Sequence, residues 1–241
     1  MSPTTLLYFI PSLITGFISS VSGMGGGAIL LAILSIVFPI KTLVPIHGVV
    51  QMGANVSRSY ILRKFIKKKM SLFFLLGMPL GVLMGIKLLS QDISEKHLKI
   101  LISAFIIFTV FKPKKMPQLK IKDWQFIFVG FIASTLGLLI GSIGPFLAPF
   151  FLRDDINKEE LVATKSCMQM IVHTSKIPSF LYLKFNYSEY SIEIILLVLG
   201  ALLGNYIGVK VLKKINTKMF TIIFKTSLSL AALRLLYSAL T

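Results

Sequence analysis

The sequence predicts an all-α polytopic membrane protein. It reads as two inverted-topology repeats of about five helical segments each, with the second segment of each repeat short, broken or re-entrant. Three observations carry that expectation. The composition is too apolar for water, one polar ladder occurs twice at the same spacing, and basic charge sits in short loops whose order reverses between the halves.

Composition decides the solvent. Hydrophobic residues make up 55% of the 241, with 19 Phe, and mean hydropathy is +0.82. Long apolar runs such as Leu72 to Leu89 and Ile192 to Val209 could not be hidden in one soluble domain of this size, so the lipid bilayer is an expected partner. The formal charge of +17 would suit nucleic acid. The Lys and Arg residues, however, cluster in loops between apolar spans (Arg63 to Lys69, Lys112 to Lys122, Lys210 to Lys218), as cytoplasmic loops do. No basic stripe with interleaved aromatics is present, and nucleic acid is not expected. The single Cys167 excludes an internal disulfide, and one Cys with three scattered His gives no metal-ligand spacing, so neither a metal nor another cofactor is expected. The N-terminus lacks the basic region and cleavage site of a signal peptide, so the first span is expected to remain in the mature protein.

Five apolar segments follow one another in each half. In the first they cover residues 4–22, up to the glycine run, then 25–38, 43–62, 71–90 and 97–111, the last stopping at the basic stretch. In the second they cover 124–140, 143–152, 161–183, 191–212 and 219–240. The second segments hold 14 and 10 residues, against the ~20 needed to cross a bilayer, and read as broken or re-entrant helices. Domain boundaries follow: residues 1–112 form the first repeat, 113–123 a basic cytoplasmic linker and 124–241 the second repeat.

The ladder lies on the third segments. His47, Gln51, Asn55 and Arg58 stand at i, i+4, i+8 and i+11, and Lys165, Gln169, His173 and Lys176 repeat those intervals 118 residues later. On a helix each set shares one face. The duplication extends further: Gly16-Phe17-Ile18 recurs as Gly130-Phe131-Ile132, and Gly77, Gly81, Gly85 and Lys87 recur as Gly200, Gly204, Gly208 and Lys210. Glycines at i, i+4 and i+8 let helices approach closely in lipid and read as packing.

Loop charge orients the halves. The loop after the third segment is basic in the first half (Arg63, Lys64, Lys67, Lys68, Lys69) and nearly neutral in the second. After the fourth segment the order reverses, with Lys210, Lys213, Lys214 and Lys218 in the second half. The positive-inside bias therefore places the repeats upside down relative to each other, in the cell membrane, with both termini outside.

Glycine runs break the apolar stretches at matching places: Gly23-Met24-Gly25-Gly26-Gly27 and Gly141-Ser142-Ile143-Gly144-Pro145. A G-x-G-x-x-A match at Gly23 to Ala28 has no βαβ context and is not a dinucleotide site. Backbone broken at membrane depth must be buried in protein or line a cavity, and the helix after each break offers free N–H groups suited to an anion. A packing hinge is the other reading.

The segment from Gly16 through Gly27, followed by a polar third helix and repeated around Gly141, Ser142, Gly144, Pro145 and Pro149, resembles the sulfite exporter TauE/SafE family over nearly the whole chain. The second run departs from the family's fuller glycine pattern at Ser142 and Ile143. The resemblance implies movement of sulfite, sulfonates or related organosulfur anions across the membrane.

The residues point to an anion independently. No Asp or Glu occurs in the first 91 positions, whereas Arg58, Lys165 and Lys176 lie within or at the ends of third segments. Basic groups in a span default to function, although Arg58 and Lys165 could also snorkel to an interface. The reading is a secondary transporter, not an enzyme, for a small anionic substrate, exporting it by alternating access between the repeats. Its substrate-binding candidates are Gly25, Gly26, Gly27, Gln51, Asn55, Arg58, Ser142, Gly144, Gln169, His173 and Lys176, with His173 also a candidate proton carrier. An anion channel and a structural membrane subunit remain the alternatives, and association into a homo-oligomer is left open.

Overall fold

The computed structural model describes residues 3–22, 25–91, 94, 96, 97, 100, 104, 119–151, 153 and 155–211. Among these residues the chain forms eight α-helices and no strand. They are α1 (Pro3–Ser22), α2 (Gly26–Leu34), α3 (Ile40–Ile61), α4 (Lys68–Leu89), α5 (Phe126–Ile140), α6 (Gly144–Phe151), α7 (Lys158–Tyr182) and α8 (Ser191–Val211). The fifth segment expected in the first half, the linker and the last expected segment lie almost wholly outside the described residues.

Local chemistry sets the element ends. Gly25 caps α2 with φ +84°, and Gly141 closes α5 with φ +79°, a left-handed region that glycine enters without steric cost. The two glycines hold different places, one opening the helix after its break and the other ending the helix before it. Asn157 caps α7 by accepting from the Glu160 N–H at 2.8 Å, while the Glu160 carboxylate accepts from the Asn157 N–H at 3.2 Å. The expected short segments are short: α2 has nine residues and α6 eight, about 12–14 Å of helix, well under a bilayer's hydrocarbon thickness.

Among the described residues three stretches are long and apolar enough to cross a membrane: Lys68–Leu89, Asp123–Ile140 and Tyr187–Val211. Their glycines turn inward. On α4, Leu72, Leu76, Leu80 and Leu83 are 55 to 64% exposed, opposite buried Gly77, Gly81 and Gly85. That is the polarity expected where the outer solvent is lipid.

Two helix pairs cross between the halves. A Cβ at Gly77 or Gly81 would overlap the carbonyl of Ile127 or Phe131 on α5, and one at Gly200 or Gly204 would overlap the carbonyl of Phe9 or Leu13 on α1. In both pairs the glycines of one helix face successive carbonyls one turn apart on its partner. The first helix of each half thus runs parallel to the fourth helix of the other, backbone against backbone. Between these pairs lie α3 and α7, packed on one another. The start of α3 meets the end of α7, with Gly48 against Lys176, and Leu62 beyond the end of α3 meets Val162 and Ala163 at the start of α7. The two ladder helices are therefore antiparallel.

Candidate functional site

Both ladders face the interior. His47, Gln51, Asn55 and Arg58 on α3, and Lys165, Gln169, His173 and Lys176 on α7, are each at most 7% exposed. The antiparallel crossing brings them against each other. The His47 and His173 rings lie edge to face with centroids 6.0 Å apart, and the Lys176 stem fills the space beside Gly48. Arg58 and Lys165 do not reach a surface, at 2% and 1% exposed, so the snorkelling arrangement is not the one adopted.

Each break docks on the ladder helix of its own half. His47 Nε2 donates to the Gly27 carbonyl at 2.8 Å. A Cβ at Gly27 would stand 3.0 Å from Gln51 Oε1, so the missing side chain leaves room for that amide. In the second half Lys176 Nζ donates to the Gly141 carbonyl at 2.5 Å. A Cβ at Gly144 would stand 3.3 Å from Gln169 Nε2 and 3.8 Å from Lys165 Nζ. Gly26 faces elsewhere: its missing Cβ would overlap the Thr15 carbonyl on α1. Gly25 supplies the left-handed turn, and Ser142 lies buried in the bend between α5 and α6. Gly23 and Met24 fall outside the described residues.

Arg58 is held by a network that sequence reading missed. Its Nη2 donates to Asn55 Oδ1 at 2.6 Å and its Nη1 to Asn205 Oδ1 at 3.4 Å. Asn205 on α8 also accepts from Ser20 Oγ at 2.8 Å and donates to the Ala54 carbonyl at 2.7 Å. Asn205 is fully buried in a helix otherwise apolar at that depth, and a lone amide among the glycines of α8 was the available signal. Arg58 Nε and the Nδ1 atoms of His47 and His173 are buried with no hydrogen-bond partner. Among the described residues no Asp or Glu is buried. The seam offers hydrogen-bond donors and basic side chains.

The two ends differ. At one, Lys67 Nζ pairs with Glu160 Oε1 at 2.8 Å, and the Lys67 N–H donates to Thr164 Oγ1 at 2.9 Å, over the cluster of Leu62, Val162 and Ala163. At the other, a cleft of about 330 Å³ is walled by Ile40, Val44, Leu139, Phe180 and Leu183, with exposed Lys184 among its lining residues. Val44 lines that cleft and also lies against the Gly141 bend, where Lys176 is bonded.

Apolar helices of spanning length around a buried basic seam describe an integral membrane protein with a polar interior. Residues 8–235 match the sulfite exporter TauE/SafE family, and the chain belongs to it. The family is one of sulfite- and sulfonate-type membrane transporters. No curated protein and no solved structure matches the chain significantly.

Proposed function

We propose that the chain is a secondary transporter that exports small anions, sulfite and sulfonates foremost, by alternating access between two inverted repeats, with both termini outside. The observation that carries the reading is the burial of Arg58, Lys165 and Lys176 with His47 and His173 beside two broken helices, with no buried Asp or Glu among the described residues. Burying basic groups is costly, and an anion is the ligand whose charge complements them. Gln51, Asn55, Gln169 and His173 supply directional hydrogen bonds. Arg58 and Lys176 supply charge at separate levels of the seam. Gly25, Gly26 and Gly27, with Ser142 and Gly144, hold the breaks so that backbone N–H groups of α2 and α6 face it.

The antiparallel course of α3 and α7, and the crossed pairs α1 with α8 and α4 with α5, support the inverted repeat. Equivalent helices in such a fold can rock against each other about a site at their interface. The Lys67–Glu160 contact and the cleft beside Val44 supply ends that can open in turn.

Purified protein in proteoliposomes tests this. Sulfite or methanesulfonate flux should saturate and show counterflow, and Arg58→Gln and Lys176→Gln should each weaken binding by about 1–3 kcal/mol, the worth of a charge-assisted hydrogen bond. Non-saturating flux without counterflow would make it a channel. Wild-type binding in both variants would move the site elsewhere.

A further inference from the structure

The His47–His173 pair is placed for more than hydrogen bonding to an anion. A carbonyl only accepts, so the bond to the Gly27 oxygen requires the proton on His47 Nε2 whatever the charge of the ring. Nδ1 is then the single nitrogen of His47 that can gain or lose a proton. It is buried without a partner, as is Nδ1 of His173 across a 6.0 Å ring separation. A neutral His47 holds a lone pair at Nδ1, which repels an anion, and a protonated one holds a donor there.

The surroundings decide what can stabilise that proton. α7 presents His173 and Lys176 to His47, α2 presents the Gly27 carbonyl, and the bend between α5 and α6 presents the Gly141 carbonyl. On α3 itself the charged groups are Arg58, three turns on, and Lys41 at the exposed end. α8 presents Asn205, which is neutral, at the Ala54 to Arg58 level of α3, two to three turns from His47. No carboxylate faces the pair among the described residues. An imidazolium here would lie among like charges, and its counter-charge has to come from outside.

We propose that His47, paired with His173, takes up a proton at Nδ1 together with the substrate anion, so that anion and proton occupy the seam as a unit and cross the membrane in the same direction. The inference rests on the anion-transport reading of the same seam. Linkage makes it reciprocal: an anion that favours the proton is itself favoured by the proton to the same factor. Anion affinity therefore rises as pH falls, by at most about tenfold per pH unit for one linked proton.

Methanesulfonate is the appropriate probe, because sulfite titrates near neutral pH and would confound the result. Proteoliposomes holding a pH-sensitive dye are given an inward methanesulfonate gradient, and binding is measured at pH 6, 7 and 8. Wild-type protein is expected to acidify the lumen with anion entry and to bind more tightly at pH 6 than at pH 8. Gln at position 47 can still donate to the Gly27 carbonyl but cannot hold a second proton. His47→Gln should therefore lose the proton signal and bind at pH 6 no better than wild type does at pH 8. Wild-type anion flux without proton movement and with pH-independent affinity would overturn the coupling and leave the transport reading standing. Full proton movement in a folded His47→Gln protein would overturn the role of His47. No binding or flux of methanesulfonate or sulfite by wild-type protein would overturn both readings.

Discussion

Arg58 and Asn205, 147 residues apart in sequence, meet in the interior, where the Asn205 side-chain oxygen accepts from the guanidinium and from Ser20 while its amide nitrogen holds the Ala54 carbonyl. Three helices, α1, α3 and α8, are tied at the level of the one arginine in the seam. The guanidinium is thereby aimed, with Nε left without a partner.

Removing that amide should affect function before fold. Asn205→Leu leaves Ser20 and the Ala54 carbonyl without this partner and frees Arg58 to reorient. Anion affinity should fall about 3- to 10-fold, with a loss of stability of about 1–3 kcal/mol for the stranded polar groups. Titration and thermal unfolding of the same detergent-solubilised sample separate the two effects. Unaltered affinity would show that Asn205 only joins helices.

The glycines should divide by what they face. Gly81→Ala and Gly204→Ala push a methyl group into the backbone of α5 and α1, and each should cost about 1–3 kcal/mol in thermal unfolding. Gly26→Ala belongs with them, since its Cβ meets the Thr15 backbone. Gly27→Ala meets only the movable Gln51 amide, so it should keep most stability and lose affinity or flux. Equal stability losses at positions 26 and 27 would refute the distinction.

The antiparallel ladder helices predict opposite exposure of their ends. In a Cys167→Ser background, cysteine at Lys68, the first residue of α4, should be protected from an impermeant thiol reagent in intact cells, and cysteine at Asn186, just past α7, should be labelled. Both positions are exposed on the protein surface, so burial will not mask the result. Labelling of both or of neither would overturn the inverted repeat.

The Lys67–Glu160 pair joins the loop after α3 to the first turn of α7, and both side chains are part-exposed, at 38% and 22%. Such a pair contributes about 0–1 kcal/mol to stability. Glu160→Gln should barely move the melting temperature yet raise labelling of a cysteine at Thr164, beneath the pair, if this contact closes that end of the seam. Reversing both charges, Lys67→Glu with Glu160→Lys, should restore protection. Labelling that does not respond to either change would assign the closure to Leu62, Val162 and Ala163 alone.

Helix number and order within residues 3–91 and 119–211 could be read along the chain, because apolar periodicity, breaking glycines and capping residues act within a few residues of themselves. His47, Gln51, Asn55 and Arg58 share a face by helical spacing alone, and so do Lys165, Gln169, His173 and Lys176. Nothing local states that the two faces meet. Their antiparallel crossing, the pairing of His47 with His173 and the recruitment of Ser20 and Asn205 to Arg58 arise only when α1 closes on α8 and α4 on α5. The glycines show the same division. That Gly26 and Gly27 break a helix is a property of residues without a side chain, but one packs on α1 and the other opens toward Gln51 because successive helical residues point about 100° apart. The sequence by itself determined the order of the described helices, the breaks and the absence of acid from the first 91 positions. Tertiary packing decided which polar groups share a site, because that depends on contacts between segments more than a hundred residues apart.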